Sequence, residues 1–93
     1  MEDIIIYTTE EVLAHKRDRK DCDSYYWEFS RMPKFIEVGS RIYFATKGFI
    51  RGYFVVKTIN GFGNKEVAWS PFSWRNVKPI AIKQFRGFQY YYL

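Results

Sequence analysis

The clearest alternation of apolar and polar positions lies between residues 38 and 56. Two runs rich in β-branched and aromatic residues flank Thr46-Lys47-Gly48. Such runs around a short turn with a glycine at its end predict a β-hairpin, because glycine takes the positive φ that closes the turn at little cost. The predicted turn has three residues. The predicted core face of the hairpin consists of Ile42, Phe44, Ile50, Phe54 and Val56, with Arg51 and Tyr53 together on the other face.

The rest of the chain contains shorter signals. Residues 3–7 form an apolar, β-branched run typical of a buried strand. Thr8 and Glu11 have the spacing of a capping box, which predicts a helix over residues 9–20. Extended segments are predicted in residues 24–34, 66–69, 77–83 and 89–93, with a short helical turn within 70–76. Gly52 inside a strand predicts a bulge, a barrel bend or close approach of another backbone.

Five or six short strands with one or two flanking helices predict the α+β class. The chain has 93 residues, which suits a single domain spanning residues 1–93. Strands this short and numerous favour a small, bent β-barrel of mixed strands.

The distribution of charge and the aromatic content indicate a class of function. Residues 1–37 contain nine acidic and six basic residues, whereas residues 38–93 contain one acidic and nine basic residues. A basic part of this kind favours a polyanionic partner, although a solvated basic face without a partner has the same composition. Aromatic residues make up 22% of the chain, more than a small core needs, so some rings are expected on a surface or in a pocket.

Other features exclude several classes of function. The single cysteine, Cys22, allows no internal disulfide and favours a reducing compartment. No apolar stretch has the length of a membrane span or a signal peptide, so we expect a cytoplasmic, soluble protein without a membrane partner. His15 has no neighbours at metal-ligand spacing, and Gly61 and Gly63 lack the pattern of a phosphate loop. We therefore expect no metal and no cofactor.

The chain also resembles a known family. The order strand, helix, Gly39-Ser40, hairpin, and Gly52 in the returning strand is similar to PUA-like domains, most of all to the ASCH and EVE branches. Residues 78–90 resemble the closing segment of small ASCH-like proteins. The resemblance covers about half of the chain, and Ser40 stands where an aspartate is usual.

This resemblance implies a pseudo-barrel with a cleft that binds RNA or a flipped, sometimes modified, base. It also implies two enzymatic alternatives, a small ribonuclease or a nucleoside amidohydrolase. The amidohydrolase type uses a Lys, a Thr and a Glu. Lys47, Thr46 and Glu66 are residues of these types, but no motif assigns the roles to them.

The first hypothesis is therefore a binding module for RNA, DNA or a modified base. Rings would stack on bases, cations would contact phosphates, and small polar side chains would read a base edge. The candidate residues are Trp27, Tyr53 and Trp74 for stacking, Arg31, Lys47, Arg51, Lys83 and Arg86 for phosphates, and Ser30 and Gln84 for base edges. The alternative interpretation, which the pattern favours slightly, makes Trp27 and Phe29 core residues rather than placing Trp27 and Arg31 at a pocket mouth. A ribonuclease or amidohydrolase is the second hypothesis, and a protein-binding or inhibitory module, in which the aromatic residues form an interface, is the third.

Overall fold

The computed structural model describes residues 2–18, 24–61 and 63–91. These residues form one α-helix, one short 3₁₀ helix and a sheet of seven strands. In chain order the elements are β1 (Asp3–Tyr7), α1 (Glu10–Asp18), β2 (Tyr25–Glu28), β3 (Arg41–Thr46), β4 (Phe49–Ile59), β5 (Glu66–Trp69), the 3₁₀ helix (Pro71–Ser73), β6 (Arg75–Ala81) and β7 (Phe88–Tyr91). Cys22 and the predicted end of α1 at Lys20 lie outside the described residues.

The sheet is mixed and is accompanied by one α-helix in the described residues, which is compatible with the predicted α+β class. Its strand order is β2-β5-β4-β3-β1-β7, with β6 paired to β4. β1 runs parallel to β3, and the other pairs are antiparallel. The long strand β4 pairs with β3 along one edge and with β5 and β6 in succession along the other, so it organises the whole sheet.

The sheet does not close into the predicted barrel. β2 and β7 stand at the two ends of the strand order, and within the described ranges no backbone ladder joins them. Side chains bridge them instead. The rings of Phe29 and Phe88 lie 5.6 Å apart, and the Tyr90 hydroxyl accepts hydrogen bonds from the backbone N–H groups of Lys34 (2.8 Å) and Phe35 (3.1 Å). The two sheet ends therefore face each other across a gap, hereafter the seam.

The β3–β4 hairpin has a tighter turn than the sequence predicts. Thr46 pairs directly with Phe49, so Lys47 and Gly48 alone form the turn. Both have positive φ, 48° and 86°, as a two-residue turn of type I′ requires. The prediction of a three-residue turn is therefore wrong by one residue, whereas the positive φ predicted for Gly48 is present.

A bulge in β4 changes which side chains share a face. Phe44 pairs with Gly52 and Ala45 with Ile50, so Arg51 is an extra residue with no partner in the ladder. The alternation is interrupted there, and Ile50 packs with Ala45 rather than with Phe44. The predicted core face is wrong for Ile50, whereas the bulge predicted from Gly52 is confirmed.

The bulge also separates Arg51 from Tyr53, which the sequence predicts to lie together. Arg51 contacts Glu10 of α1, whereas Tyr53 packs on Tyr43 on the other side of the sheet. Gly52 lies against the backbone carbonyl of Arg75 and the ring of Trp74. The close backbone approach predicted for Gly52 is therefore present as well.

Two apolar clusters lie on the two faces of the sheet. The larger cluster includes Phe44, Phe54, Val67 and Trp69 and is covered by Leu13 of α1. The smaller cluster is formed by Ile5, Tyr43, Ala45 and Ile50. Helical cover is thus confined to one face, and the other is covered by side chains and by the segment after β6.

Helix α1 begins one residue later than the predicted capping box implies. The Thr9 hydroxyl accepts a hydrogen bond from the Val12 N–H at 3.2 Å, which makes Thr9 the N-cap. The Thr8 N–H instead donates to the Ala45 carbonyl and extends the β1–β3 pairing. Among the described elements, no helix combines the length and the apolar character that a bilayer span requires.

Candidate functional site

A cavity of about 470 Å³ lies at the seam. Its walls come from the end of β1, from β2 and the residues after it, and from β7 and the turn before it. The lining residues, hereafter the seam pocket, are Tyr7, Trp27, Glu28, Phe29, Ser30, Arg31, Arg86, Gly87, Phe88 and Tyr90.

Aromatic rings form much of the wall, and strand geometry explains their direction. Phe88 and Tyr90 are two residues apart on β7, so both point to the same side, and their rings meet edge to face at 5.6 Å. Trp27 on β2 is half-buried and packs on Phe44 of the core at 5.6 Å. The rings are therefore held by the core while part of their surface faces the pocket.

Two exposed cations line the pocket. Arg31 and Arg86 are exposed and lie on opposite sides of the seam, Arg31 after β2 and Arg86 before β7. Gly87 has a φ of 74°, which allows the chain to turn sharply between Arg86 and β7. The Lys65 ammonium donates to the Ser30 carbonyl at 3.4 Å and adds a third positive charge nearby. Among the lining residues Glu28 is the single carboxylate.

Four of the ten residues predicted from the sequence meet at this pocket: Trp27, Ser30, Arg31 and Arg86. Sequence reasoning missed Tyr7, Phe88 and Tyr90, because their position depends on the pairing of β1 with β7. The alternation Phe88, Tyr90 against Gln89, Tyr91 was the available signal that one side of the last strand is a wall.

Three further predicted residues lie along a path from the pocket to the hairpin turn. The Tyr7 hydroxyl accepts a hydrogen bond from the Gly48 N–H, and the Gly48 carbonyl accepts one from the Ile82 N–H at 2.9 Å. Lys47 and Lys83 flank this second hydrogen bond, and Gln84 follows on the segment that leads to Arg86; all three side chains are exposed. Tyr7 thus connects the turn to the pocket wall.

Arg51 lies apart from the pocket, beside α1. Its Nε is 3.3 Å from both the carbonyl and the hydroxyl oxygen of Thr46 and 3.9 Å from a carboxylate oxygen of Glu10. The Thr46 hydroxyl donates to Glu10. Arg51 therefore ties the hairpin to the start of α1, and binding a phosphate would compete with Glu10.

Tyr53 and Trp74 also lie elsewhere. Tyr53 packs on Tyr43 on the face opposite α1. Trp74 packs on Phe54 at 4.9 Å and donates its Nε1–H to the Asn76 side chain at 2.8 Å. The three predicted stacking rings, Trp27, Tyr53 and Trp74, do not line one cavity.

The residue types of the amidohydrolase alternative are not brought together. Thr46 is fully buried and its hydroxyl donates a hydrogen bond to Glu10. Glu66 lies on β5, directly opposite Glu28 in the antiparallel pairing of β5 with β2. Lys47 and Glu66 thus stand near opposite ends of β4.

Lys16 is a cation beside the pocket that sequence reasoning did not single out. Its ammonium lies 5.6 Å from the ring centre of Tyr26 and 5.8 Å from that of Trp27, and it donates to the Tyr26 carbonyl at 2.9 Å. Burial lowers the pKa of Lys16 from its ordinary value, because desolvation disfavours the charged form. A cation therefore already lies close to the Trp27 ring.

In the part of the chain that the structure describes, no group of three or more His, Cys, Asp or Glu side chains is placed to hold a metal ion. Comparison with protein-family models, with curated proteins and with solved structures finds no match to this chain.

Proposed function

We propose that this chain is a nucleic-acid-binding module that takes an unpaired base, unmodified or modified, into the seam pocket, with single-stranded RNA as the favoured ligand. The observation that carries this proposal is the combination of aromatic walls and two arginines at one opening. Rings of Trp27, Phe88 and Tyr90 line the cavity together with Arg31 and Arg86, so a base would meet the rings and its phosphates the arginines.

The energetics of such a site are favourable. Stacking of one base on an aromatic ring stabilises a complex by about 1–3 kcal/mol and is tolerant of sequence. Cations at the entrance contact the phosphates on either side of the inserted base and release counterions. The cavity of about 470 Å³ lies within the range of about 300–1,000 Å³ of small-ligand sites.

The proposal includes a PUA-like fold of the ASCH type. Its support is the α+β mixed sheet, the order of β1, α1 and the hairpin, and the position of Gly52 at a bulge. In that fold the seam would be the place where the pseudo-barrel is left open for a ligand.

Binding is favoured over catalysis because the pocket is poorly supplied with acid–base groups. Glu28 is the one carboxylate among its lining residues. His15 is not among them and packs against Tyr25 of β2, with 5.8 Å between ring centres. An acid–base reaction needs a donor and an acceptor within hydrogen-bond reach of the same substrate atoms.

The test is fluorescence anisotropy with labelled single-stranded RNA and DNA of one sequence across a salt series. We expect affinity to fall with salt, and Arg31→Ala or Arg86→Ala to weaken binding and reduce the slope of log K against log salt by about 0.7 each. Lys57→Ala is the matched control, because it removes one positive charge from an exposed site outside the seam pocket. Absence of binding at about 50 mM salt, or equal effects of Arg31→Ala and Lys57→Ala, contradicts the proposal.

A further inference from the structure

The face of the sheet opposite α1 carries a group of tyrosines and arginines. Tyr43 pairs with Tyr53 across β3 and β4, and Tyr53 pairs with Arg75 on β6. Directly opposed residues on neighbouring strands project to the same side of a sheet. The ring centre of Tyr43 lies 5.2 Å from that of Tyr53 and 4.8 Å from that of Tyr91. These residues and Arg41 are hereafter the tyrosine face.

The arrangement of these side chains is ordered before any ligand arrives. Tyr43 is 3% exposed, while Tyr53 and Tyr91 on either side of it are half-buried. The Arg41 guanidinium lies 4.6 Å from the ring centre of Tyr53 and donates to the Tyr43 hydroxyl at 3.4 Å. This hydrogen bond raises the pKa of Arg41, and a guanidinium is charged at physiological pH in any case.

The charge of this part of the sheet complements a polyanion. The two cations of the tyrosine face, Arg41 on β3 and Arg75 on β6, are exposed, and strands β3, β4, β6 and β7 contain no acidic residue. Asp3 on β1 lies beside Arg41, and its carboxylate accepts the backbone N–H of Arg41 at 2.8 Å. Half-exposed rings beside cations can bind both parts of a single-stranded nucleic acid. Its bases stack on rings or on guanidinium planes, and its phosphates contact cations.

Strand β7 connects this face with the seam pocket. Phe88 and Tyr90 line the pocket, and the alternate residues Gln89 and Tyr91 point to the other side. Tyr91 accordingly packs with the cluster around Tyr43. A single-stranded nucleic acid that leaves the pocket has to cross only the width of β7 to reach the tyrosine face.

We propose that the tyrosine face is a second contact surface for the same single strand, which crosses β7, stacks bases on Tyr53 and Tyr91 and places phosphates beside Arg41 and Arg75. This inference rests on the proposed function, because it assigns the nucleotides next to the base held in the seam pocket. It predicts a binding footprint longer than the pocket alone can provide.

The test compares a trinucleotide with a single-stranded RNA of about nine nucleotides, within the usual range of about 4–16 nucleotides for small single-strand binding folds. We expect the longer RNA to bind at least about 25-fold tighter, because it adds two stacked bases that each contribute about 5-fold or more. Tyr53→Leu should weaken binding of the longer RNA by about 5- to 150-fold and leave the affinity for the trinucleotide unchanged. Tyr26→Leu is the matched control, since Tyr26 is an exposed ring on β2 outside both surfaces.

A second variant keeps the test independent of folding. Arg75 is exposed, so Arg75→Gln is expected to leave the melting curve unchanged and to reduce the salt slope for the longer RNA by about 0.7. Each variant is checked by circular dichroism before binding is measured.

The outcomes separate this inference from the proposed function. If the trinucleotide binds in an Arg31-dependent manner but Tyr53→Leu and Tyr26→Leu change the affinity for the longer RNA equally, the tyrosine face is not a contact surface. The proposed role of the seam pocket is then still supported. If Tyr53→Leu and Arg75→Gln weaken the longer RNA while Arg31→Ala changes nothing, the tyrosine face is supported and the seam pocket fails. A dimer that Tyr53→Leu abolishes, with no RNA bound by the unmodified chain, assigns the face to a second copy and overturns the inference.

Discussion

Replacing Gly52 by alanine tests the close packing behind the hairpin. A Cβ at this position would lie 2.8 Å from Cη2 of the Trp74 ring and closer still to its Cζ2 and to the Arg75 carbonyl oxygen. Contacts below 3.0 Å are essentially never made by real Cβ atoms. The carbonyl belongs to a backbone that is paired to β4 through Gly52 and Asn76, so it cannot rotate away as a flexible side chain would.

The cost follows from the two obstacles. Overpacking a filled site costs about 1–3 kcal/mol, because strands or rings must shift. A chain of 93 residues has a free energy of unfolding of about 5–14 kcal/mol. Since 1 kcal/mol corresponds to about 4–8 °C in a domain of this size, the melting temperature of Gly52→Ala should fall by about 4–24 °C.

The assay is thermal and urea unfolding followed by circular dichroism, with Gly63→Ala as the matched control. Nothing lies within 4 Å of a Cβ at Gly63, so that variant should stay within about 0.5 kcal/mol of the unmodified chain. Equal stability of the two variants would refute the reasoning. A double-mutant cycle measures how much of the lost stability comes from the clash with the Trp74 ring. Trp74→Ala should lower the free energy of unfolding less in the Gly52→Ala background than in the unmodified chain.

Three other predictions address the helix, a buried cation and catalysis. Thr9→Ala should lower the free energy of unfolding by about 0.5–2 kcal/mol, because the Val12 N–H loses its acceptor, whereas Thr8→Ala should cost less; urea titration compares them, and the reverse order contradicts the assignment of the cap. The lowered pKa of Lys16 means that the folded chain loses this proton before the unfolded chain does. The stability of the unmodified chain relative to Lys16→Met should therefore rise with pH, up to the ordinary pKa of 10.5, in urea titrations; a flat difference contradicts it. Labelled RNA incubated with the protein should remain intact with or without a chelator; cleavage that Lys47→Ala or Arg51→Ala abolishes would favour the ribonuclease alternative.

Elements set by local chemistry could be predicted from the sequence. The β-branched run of β1, the two strands around Lys47-Gly48 and the turn at Pro71 all appear where the pattern places them. In each case neighbouring residues along the chain carry the signal, through side-chain alternation or a conformational preference of glycine or proline. The same reasoning failed at Arg51, because a bulge inserts one residue and reverses every face assignment on one side of it.

The candidate site could be predicted only in part. Trp27, Ser30 and Arg31 are close in sequence, so one dense stretch of rings and cations indicated them together. Arg86 reaches the same opening through the pairing of β7 with β1. Trp74 and Arg51 have the right chemistry but are held by Phe54 and by Glu10. Residue type indicates what a side chain can do, and long-range pairing decides what it faces.

The pairing of β1 with β7 also affects how the chain is made. Residues 3–6 pair with residues 88–91, so about 80 residues are synthesised after β1 before its outer neighbour exists. At about 5–20 residues per second, that takes about 4–16 s during translation. During this interval one edge of an apolar strand, with Ile4, Ile5 and Ile6 in a row, has no partner and can pair with another nascent chain. Yield in a cell should therefore depend on translation rate and chaperone supply, and substitutions that weaken β7 should reduce soluble protein.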